Sequence, residues 1–183
     1  GIMGSSIATH ILKKNHEITI FNRSMEKCLD FKNKNKGYNI NIAKSAKEAG
    51  ECKDYILSCV GNDNDLNEIY FSKNGIFNTL NDNTYIIDHT TASDKFSKFC
   101  YDKFRTKNCF FLDAPVSGGE IGAKEGNLSV MVGGNENDFK KVKKILYLYS
   151  KSVTFMGQSG NGQLAKMVNQ ICIASLIQGL SEG

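Results

Sequence analysis

Short apolar runs alternate with longer amphipathic stretches along most of the chain. The runs rich in β-branched and aromatic residues predict strands at Glu17–Asn22, Tyr38–Ile42, Asp54–Val60, Thr84–Asp88, Asn108–Asp113, Leu128–Gly133 and Ser152–Met156. The stretches between them predict helices at Gly1–Lys14, Ser24–Asn33, Lys44–Gly50, Asp63–Ser72, Ser93–Thr106 and Glu136–Tyr149. Strands that are apolar on both faces and separated by helices are typical of βαβ units. The predicted fold class is therefore α/β, a doubly wound domain with a mostly parallel sheet.

The pattern changes after Gly157. A glycine-rich entrance at Gly160–Gly162 leads into Leu164–Ser181, a stretch that is apolar on nearly every side. A helix of this kind belongs inside a larger assembly. We therefore expect residues 1–157 to form one domain and residues 158–183 to begin a helical domain that is truncated here. For the same reason we expect a homo-dimer or homo-tetramer of the full-length protein.

Composition limits the function classes without naming one. Of the 183 residues 40% are apolar and 23% charged, and the net charge is +4. These values indicate a soluble globular protein, with neither a membrane span nor the basic stripe of a nucleic-acid-binding surface. Six cysteines without a C-x-x-C pair and three histidines without metal spacing indicate reduced thiols and no metal site. We expect a cytoplasmic protein; the start at Gly1 suggests a missing N-terminal segment, which leaves a mitochondrial location open.

The first candidate site is the start of the chain. The first predicted helix begins with Gly1, Ile2, Met3 and Gly4. Its two glycines fit the second and third glycines of the motif G-x-G-x-x-G. In that motif the free N–H groups of a helix N-terminus bind the pyrophosphate of a dinucleotide. Alternatively, a G-x-x-G at this position is an ordinary helix cap.

The second candidate site is the end of the next strand. Asn22, Arg23 and Ser24 stand where an NAD-binding domain normally places an acidic residue for the ribose. The Arg23 guanidinium suits a 2′-phosphate and favours NADP, whereas Asn22 still allows NAD. Alternatively, Arg23 is a solvated loop residue.

Two later strand ends belong at the same edge of the sheet, where ligands bind in open α/β folds. Val60 and Gly61 follow one strand, and Thr91 follows the next. Thr91 is a candidate contact for the nicotinamide ribose or the substrate, an N-cap of the following helix, or both. His89 is interpreted as a non-catalytic loop histidine, because nothing in the sequence orients it.

A glycine-rich loop after Asp113 suggests an anion site. Ser117, Gly118 and Gly119 follow Pro115, the only proline in the chain. The serine hydroxyl and the backbone N–H groups of two flexible residues suit a carboxylate. Alternatively, the segment is an ordinary tight turn.

A lysine in the apolar helix suggests acid–base chemistry. Lys166 lies in the first turns, with Asn169 and Gln170 at neighbouring positions of one face. Burial and the helix N-terminus would lower the lysine pKa toward neutrality, which suits a general acid/base. Alternatively, Lys166 reaches solvent from the end of the helix.

Together these segments resemble the β-hydroxyacid dehydrogenase family, which includes 3-hydroxyisobutyrate dehydrogenase, tartronate semialdehyde reductase and 6-phosphogluconate dehydrogenase. The segments that match in order and spacing are Gly1–Gly4, Asn22–Ser24, Asp113–Gly119 with Gly126–Gly134, and Gly162–Gln170. The resemblance covers essentially the whole chain. It implies a Rossmann-type NAD(P)-binding domain in residues 1–157, incomplete at its N-terminus, followed by the first helix of the helical domain.

The resemblance also implies roles. Lys166 would be the catalytic lysine, Gln170 would contact the substrate beside Asn169, and Thr91 would face the nicotinamide. The substrate carboxylate would be held by Ser117, Gly118 and Gly119. Gln170 replaces the Asn of 3-hydroxyisobutyrate dehydrogenases, which bears on the substrate, and Asn169 stands where 6-phosphogluconate dehydrogenases carry His.

The sequence therefore predicts an oxidoreductase that moves a hydride between NADP(H), or NAD(H), and a small 3-hydroxy acid or semialdehyde acid. Lys166 is the predicted general acid/base. Two alternatives stay open: a decarboxylating enzyme like 6-phosphogluconate dehydrogenase, and a dinucleotide-binding module without catalysis.

Overall fold

The computed structural model describes all 183 residues. Its helices are α1 (Ile2–Leu12), α2 (Met25–Lys34), α3 (Ala46–Gly50), α4 (Asp63–Phe71), α5 (Asp94–Arg105), α6 (Gly119–Glu125), α7 (Glu136–Leu146) and α8 (Asn161–Glu182). Its strands are β1 (Ile18–Ile20), β2 (Ile40–Ile42), β3 (Tyr55–Ser58), β4 (Tyr85–Asp88), β5 (Phe110–Asp113), β6 (Val116–Ser117), β7 (Leu128–Gly133) and β8 (Ser150–Gly157). A 3₁₀ turn at Ile76–Asn78, which the sequence pattern missed, follows α4.

A six-stranded sheet forms the centre of the fold. β3, β4 and β5 pair in parallel, as successive βαβ units require. β7 runs antiparallel to β5 and β6 along one edge and pairs in parallel with β8 along the other. β1 and β2 form a separate parallel pair. The α/β class with a mostly parallel sheet is thus confirmed.

Neighbouring residues of the central strands enter two different cores, which explains why these strands are apolar throughout. Ile86 and Phe111 belong to a cluster that includes buried side chains of α4 and α5. Ile87 and Leu112 belong to a second cluster with side chains of α1, α6 and α7. Because successive side chains of a strand point to opposite faces, helices cover both sides of the sheet.

The glycine-rich segment after β5 is more ordered than the sequence indicates. It contains β6 and the seven-residue helix α6, where a loop was predicted. β5 and β6 share one register against β7, with Asp113 opposite Gly133 and Ser117 opposite Ser129. They are one strand interrupted at Pro115, which has no N–H for a continuous ladder.

The last helix leaves the domain after its first two turns. Gly162, Gln163 and Lys166 are buried, whereas most of the helix beyond them is exposed. The exposed apolar residues are Leu164, Met167, Val168, Ile171, Ile173, Leu176, Ile177 and Leu180. No helix, α8 included, combines the length and apolarity needed to cross a membrane.

The start of α8 is fixed by Asp113, a buried side chain at the end of β5. Its carboxylate accepts hydrogen bonds from the amide of Gly160 at 2.7 Å, the amide of Gln163 at 3.1 Å and the hydroxyl of Ser159 at 3.3 Å. These bonds satisfy donors at the helix N-terminus that have no partner within the helix. The backbones meet so closely that a Cβ on Gly162 would lie 2.5 Å from the Met131 carbonyl oxygen.

Two glycines of α8 allow this close packing to be tested. We expect Gly162→Ala to lower the free energy of unfolding by about 1–3 kcal/mol, because the added methyl displaces rigid backbone. Gly179→Ala is the matched control, since a Cβ there meets nothing within 4 Å, and it should be neutral or stabilising by up to about 1 kcal/mol. Urea denaturation of both variants measures the difference, and equal effects would contradict the packing argument.

Candidate functional site

A cleft of about 720 Å³ lies at the carboxyl edge of the sheet. It is bordered by the first turn of α1, the loops after β3 and β4, β6 with the start of α6, and α8. Nine residues singled out from the sequence line it: Met3, Val60, Gly61, Thr91, Ser117, Gly118, Gly119, Lys166 and Gln170. The predicted carboxylate and lysine segments therefore meet part of the predicted cofactor residues at one place.

Lys166 is a largely buried residue that lines this cleft. The residue is only 8% exposed and takes part in none of the five salt bridges of the molecule. Burial lowers the pKa of the amine, because the protonated form loses its hydration. The arrangement suits proton transfer and differs from the alternative in which the lysine extends into solvent.

Gln163 ties the lysine-bearing helix to the loop after β4. Its Nε2 donates to the Thr90 carbonyl at 2.8 Å, and its Oε1 accepts from the Ala92 amide at 3.0 Å. The side chain is almost fully buried, which strengthens both bonds by excluding water. The two bonds flank Thr91 and fix its position relative to Lys166.

Ser117, Gly118 and Gly119 lie where β6 gives way to α6. The two glycines have φ values of 136° and 62°, in a region that residues with a Cβ rarely adopt. They turn the chain from strand into helix beside the cleft. The serine hydroxyl and the free amides of a helix start are donors suited to an anion.

The loops after β3 and β4 are held together. The Thr90 hydroxyl oxygen accepts from the Val60 amide at 3.0 Å, so that amide is already bonded. Thr91 lines the cleft and caps no helix, because the Ser93 side chain accepts from the Phe96 amide at the start of α5. The alternative in which Thr91 is the N-cap of this helix is therefore wrong.

His89 also lines the cleft but is committed to structural bonds. Its Nδ1 lies 2.7 Å from the Ala114 carbonyl, and its Nε2 lies 2.8 Å from the Tyr149 hydroxyl. Since a carbonyl only accepts, Nδ1 donates and Nε2 accepts from the tyrosine. The expectation that nothing orients His89 is wrong. No group of three or more His, Cys, Asp or Glu side chains is placed to hold a metal ion.

Asp88, at the end of β4 and next to His89, is a buried acid to which the sequence pattern assigned no role. Its Oδ1 accepts from the Ser58 hydroxyl at 2.8 Å and the Thr90 amide at 3.1 Å, whereas its buried Oδ2 has no partner. Burial raises its pKa to about 7, because the charged form is poorly solvated.

The predicted cofactor residues at the chain start border the cleft only through Met3; Gly1, Ile2 and Gly4 do not line it. The first turn of α1 contains no acidic residue, so its free amides remain attractive to anions. A Cβ on Gly4 would lie 3.9 Å from the Cβ of Cys59, an ordinary contact. Packing against this neighbour therefore does not require glycine at position 4.

Asn22, Arg23 and Ser24 lie outside the cleft lining and interact locally. The Asn22 side-chain oxygen accepts from the Ser24 amide at 2.9 Å, and Ser24 precedes α2 without capping it through its side chain. Arg23 donates to Asp65 at 3.0 Å, so it is not simply a solvated loop residue. Asn169 also lies outside the lining and donates to the Gln170 side chain at 3.2 Å.

The neutral state of His89 gives stability a pH dependence. Burial lowers its pKa from 6.5 to about 4, so on acidification the unfolded chain binds a proton before the folded chain does. The stability that neutral His89 contributes is complete above about pH 6.5 and is lost toward pH 4. Across that window the wild type should lose about 3 kcal/mol relative to His89→Gln in urea denaturation. Parallel pH profiles for the two proteins would contradict this.

The edge cleft, the parallel strands and the helix N-terminus are typical of a dinucleotide-binding α/β domain. Residues 1–157 match the model of the NAD-binding domain of 6-phosphogluconate dehydrogenase. The chain belongs to this family, within the β-hydroxyacid dehydrogenases.

Three relatives match along the whole chain. An uncharacterized oxidoreductase of Shewanella frigidimarina is 40% identical over 183 residues, which are 62% of its length. The probable 3-hydroxyisobutyrate dehydrogenase-like 1, mitochondrial, of Arabidopsis thaliana is 37% identical over 54% of its length. The 2-hydroxy-3-oxopropionate reductase of Escherichia coli is 33% identical over 61% of its length. The chain thus spans less than two thirds of each of these relatives.

Two solved structures share the fold. The 3-hydroxyisobutyrate dehydrogenase of Mycobacterium tuberculosis, solved with L-serine, has a TM-score of 0.88 at 24% identity, covering 95% of this chain and 57% of its own. The structure described as Psf3 in complex with NADP+ and 2-OPP has a TM-score of 0.87 at 23% identity, covering 100% of this chain and 66% of its own. These likenesses establish the fold.

Proposed function

We propose that the complete protein is an oxidoreductase that moves a hydride between NADP(H), or NAD(H), and a small 3-hydroxy acid or the corresponding semialdehyde acid. The observation that carries the proposal is a largely buried lysine, Lys166, that shares one cleft with Ser117, Gly118 and Gly119. The names of the Arabidopsis and Escherichia coli relatives support this reaction class.

The residues along the cleft fit a dinucleotide. The cleft runs from Met3, at the N-terminus of α1, to Thr91 and Lys166, so an anion at the free helix amides and a ring beside the lysine are compatible with one ligand. When bound, the dinucleotide accepts the hydride in oxidation and supplies it in reduction. The exposed guanidinium of Arg23 favours NADP, which the solved relative with NADP+ supports, whereas Asn22 still accommodates NAD.

The residues of the cleft bind the substrate and transfer the proton. Ser117 and the amides of Gly118 and Gly119 bind the substrate carboxylate, which places the hydroxyl-bearing carbon beside Lys166. In oxidation the neutral Nζ of Lys166 takes the hydroxyl proton, and in reduction the protonated Nζ returns it to the carbonyl oxygen. Gln170 contacts the substrate, and the hydrogen bond from Asn169 holds its amide.

The division of the chain forms part of the same proposal. Residues 158–183 belong to a helical domain, because α8 presents Ile171, Leu176 and Leu180 to solvent. A helix with apolar residues on several sides is normally buried, so we expect other parts of the complete protein to pack against α8.

The lysine is tested by two substitutions in the complete protein. Lys166→Ala should lower kcat by about 10²- to 10⁴-fold, because the proton transfer loses its acid/base. Lys166→Arg should be similarly slow, since arginine keeps the charge and does not release a proton. NADPH binding by calorimetry should stay nearly unchanged in both variants.

The assay uses 3-hydroxyisobutyrate, tartronate semialdehyde and 6-phosphogluconate as substrates. Unchanged turnover in the variants would remove Lys166 from the mechanism. Release of CO₂ from 6-phosphogluconate would overturn the proposed substrate class.

The proposed role of Ser117 in binding the substrate carboxylate is tested through the KM. Ser117→Ala should raise the KM for the acid substrate while changing kcat little, because the hydroxyl binds a group that does not react. Ser129→Ala is the matched control, since Ser129 pairs with Ser117 in the β6–β7 ladder but does not line the cleft. An unchanged KM in Ser117→Ala, or an equal rise in the control, would remove Ser117 from the site.

A further inference from the structure

An ion pair links the turn after β1 to the start of α4. Nη1 of Arg23, in the turn after β1, lies 3.0 Å from Oδ1 of Asp65, in the first turn of α4. Three of the other four salt bridges join residues one turn apart in the same helix. The Arg23–Asp65 pair instead spans 42 positions of sequence and connects the predicted ribose segment to the loop that lines the cleft.

The carboxylate of this pair is the fixed partner. Oδ2 of Asp65 accepts from the Gly61 amide at 3.1 Å, and the Asp65 amide donates to the Asn62 side chain at 3.0 Å. A Cβ on Gly61 would lie only 2.5 Å from Oδ2, so the glycine leaves room for the carboxylate. The Asp65 side chain is 20% exposed, whereas that of Arg23 is 71% exposed. The arginine is therefore the exposed partner, and the aspartate is held by hydrogen bonds to the loop before α4.

We propose that Asp65 is a specificity-determining residue that restrains the preference for NADP over NAD; this rests on the cofactor placement of the proposed function. Arg23 is the cation that a 2′-phosphate would use, and the fixed carboxylate of Asp65 offsets its positive charge. A phosphate bearing nearly two negative charges is repelled by that carboxylate. The uncharged ribose hydroxyls of NAD carry no such penalty, because a hydroxyl donates to a carboxylate.

Two nucleotides isolate this effect from catalysis. Adenosine 2′,5′-bisphosphate and 5′-AMP differ only in the 2′-phosphate, and calorimetry of the complete protein gives the ratio of their dissociation constants. Asp65→Asn keeps an oxygen for the Gly61 amide and removes the charge. We expect it to strengthen binding of the bisphosphate relative to 5′-AMP by about three- to tenfold at low salt, the size of one partly screened charge a few ångströms away. The shift should shrink as salt is added.

A matched control removes one charge elsewhere. Glu136→Gln breaks the exposed pair with Lys140 in α7 and should leave the ratio unchanged. Arg23→Ala should weaken the bisphosphate relative to 5′-AMP. A ratio that is unaltered in Asp65→Asn, or that moves toward 5′-AMP, overturns the proposal, since the carboxylate would then be inert or would orient Arg23 for the phosphate.

The ratio of dissociation constants tests the role of Asp65 separately from the dehydrogenase reaction. If the wild type binds both nucleotides and the ratio does not move in Asp65→Asn, the specificity role fails while the dehydrogenase proposal stands. If the wild type binds neither nucleotide, the cofactor placement fails and the inference fails with it. The shift in ratio is expected whether or not a 3-hydroxy acid is turned over, so failure of the substrate assay alone marks the reaction as wrong.

Discussion

The buried carboxylate of Asp113 is the interaction on which the candidate site depends. It stands at the end of a core strand and accepts three hydrogen bonds from the segment that begins α8. Burial raises the pKa of this group while the donors oppose the rise, so its charge is stabilised only as long as those donors stay in place. Hydrogen bonds therefore join β5 to the helix that carries Lys166, and separating the two elements would leave buried polar groups without partners.

Polar side chains hold the loops of this edge in position. The Asp63 carboxylate accepts from both the amide and the hydroxyl of Ser93, at 2.9 and 2.6 Å. Thr90 bonds the Val60 amide, and Gln163 bonds the backbone on both sides of Thr91. Hydrogen bonds are directional, so they hold loops more narrowly than dispersion contacts do. The proposed reaction needs the Lys166 amine, the carboxylate-binding residues and the nicotinamide ring in a fixed relative position. It therefore depends on loops that are held in this way.

The sequence was sufficient for the central strands β3, β4 and β5, because their side chains enter two cores, which leaves an uninterrupted apolar run. It was insufficient for α6, a seven-residue helix with two glycines and no apolar period, whose position depends on packing with distant parts of the chain. Lys166 and Ser117 could be found because their motifs are local. Gln163 and Asp65 could not, since their partners lie 73 and 42 positions away. A polar residue on the buried side of α8, three positions before the lysine, was the available signal for Gln163.

The interruption of the strand at Pro115 constrains how the length of the chain can vary. Asp113 and Ser117 stand four positions apart on either side of the break, and both keep one register against β7. An inserted or deleted residue between them would turn one of the two to the opposite face of the sheet. Either Asp113 would no longer bond the start of α8, or the Ser117 hydroxyl would no longer face the cleft. Redesign of the pocket in this segment is therefore confined to exchanging side chains, and added length belongs in exposed turns such as Lys34–Tyr38.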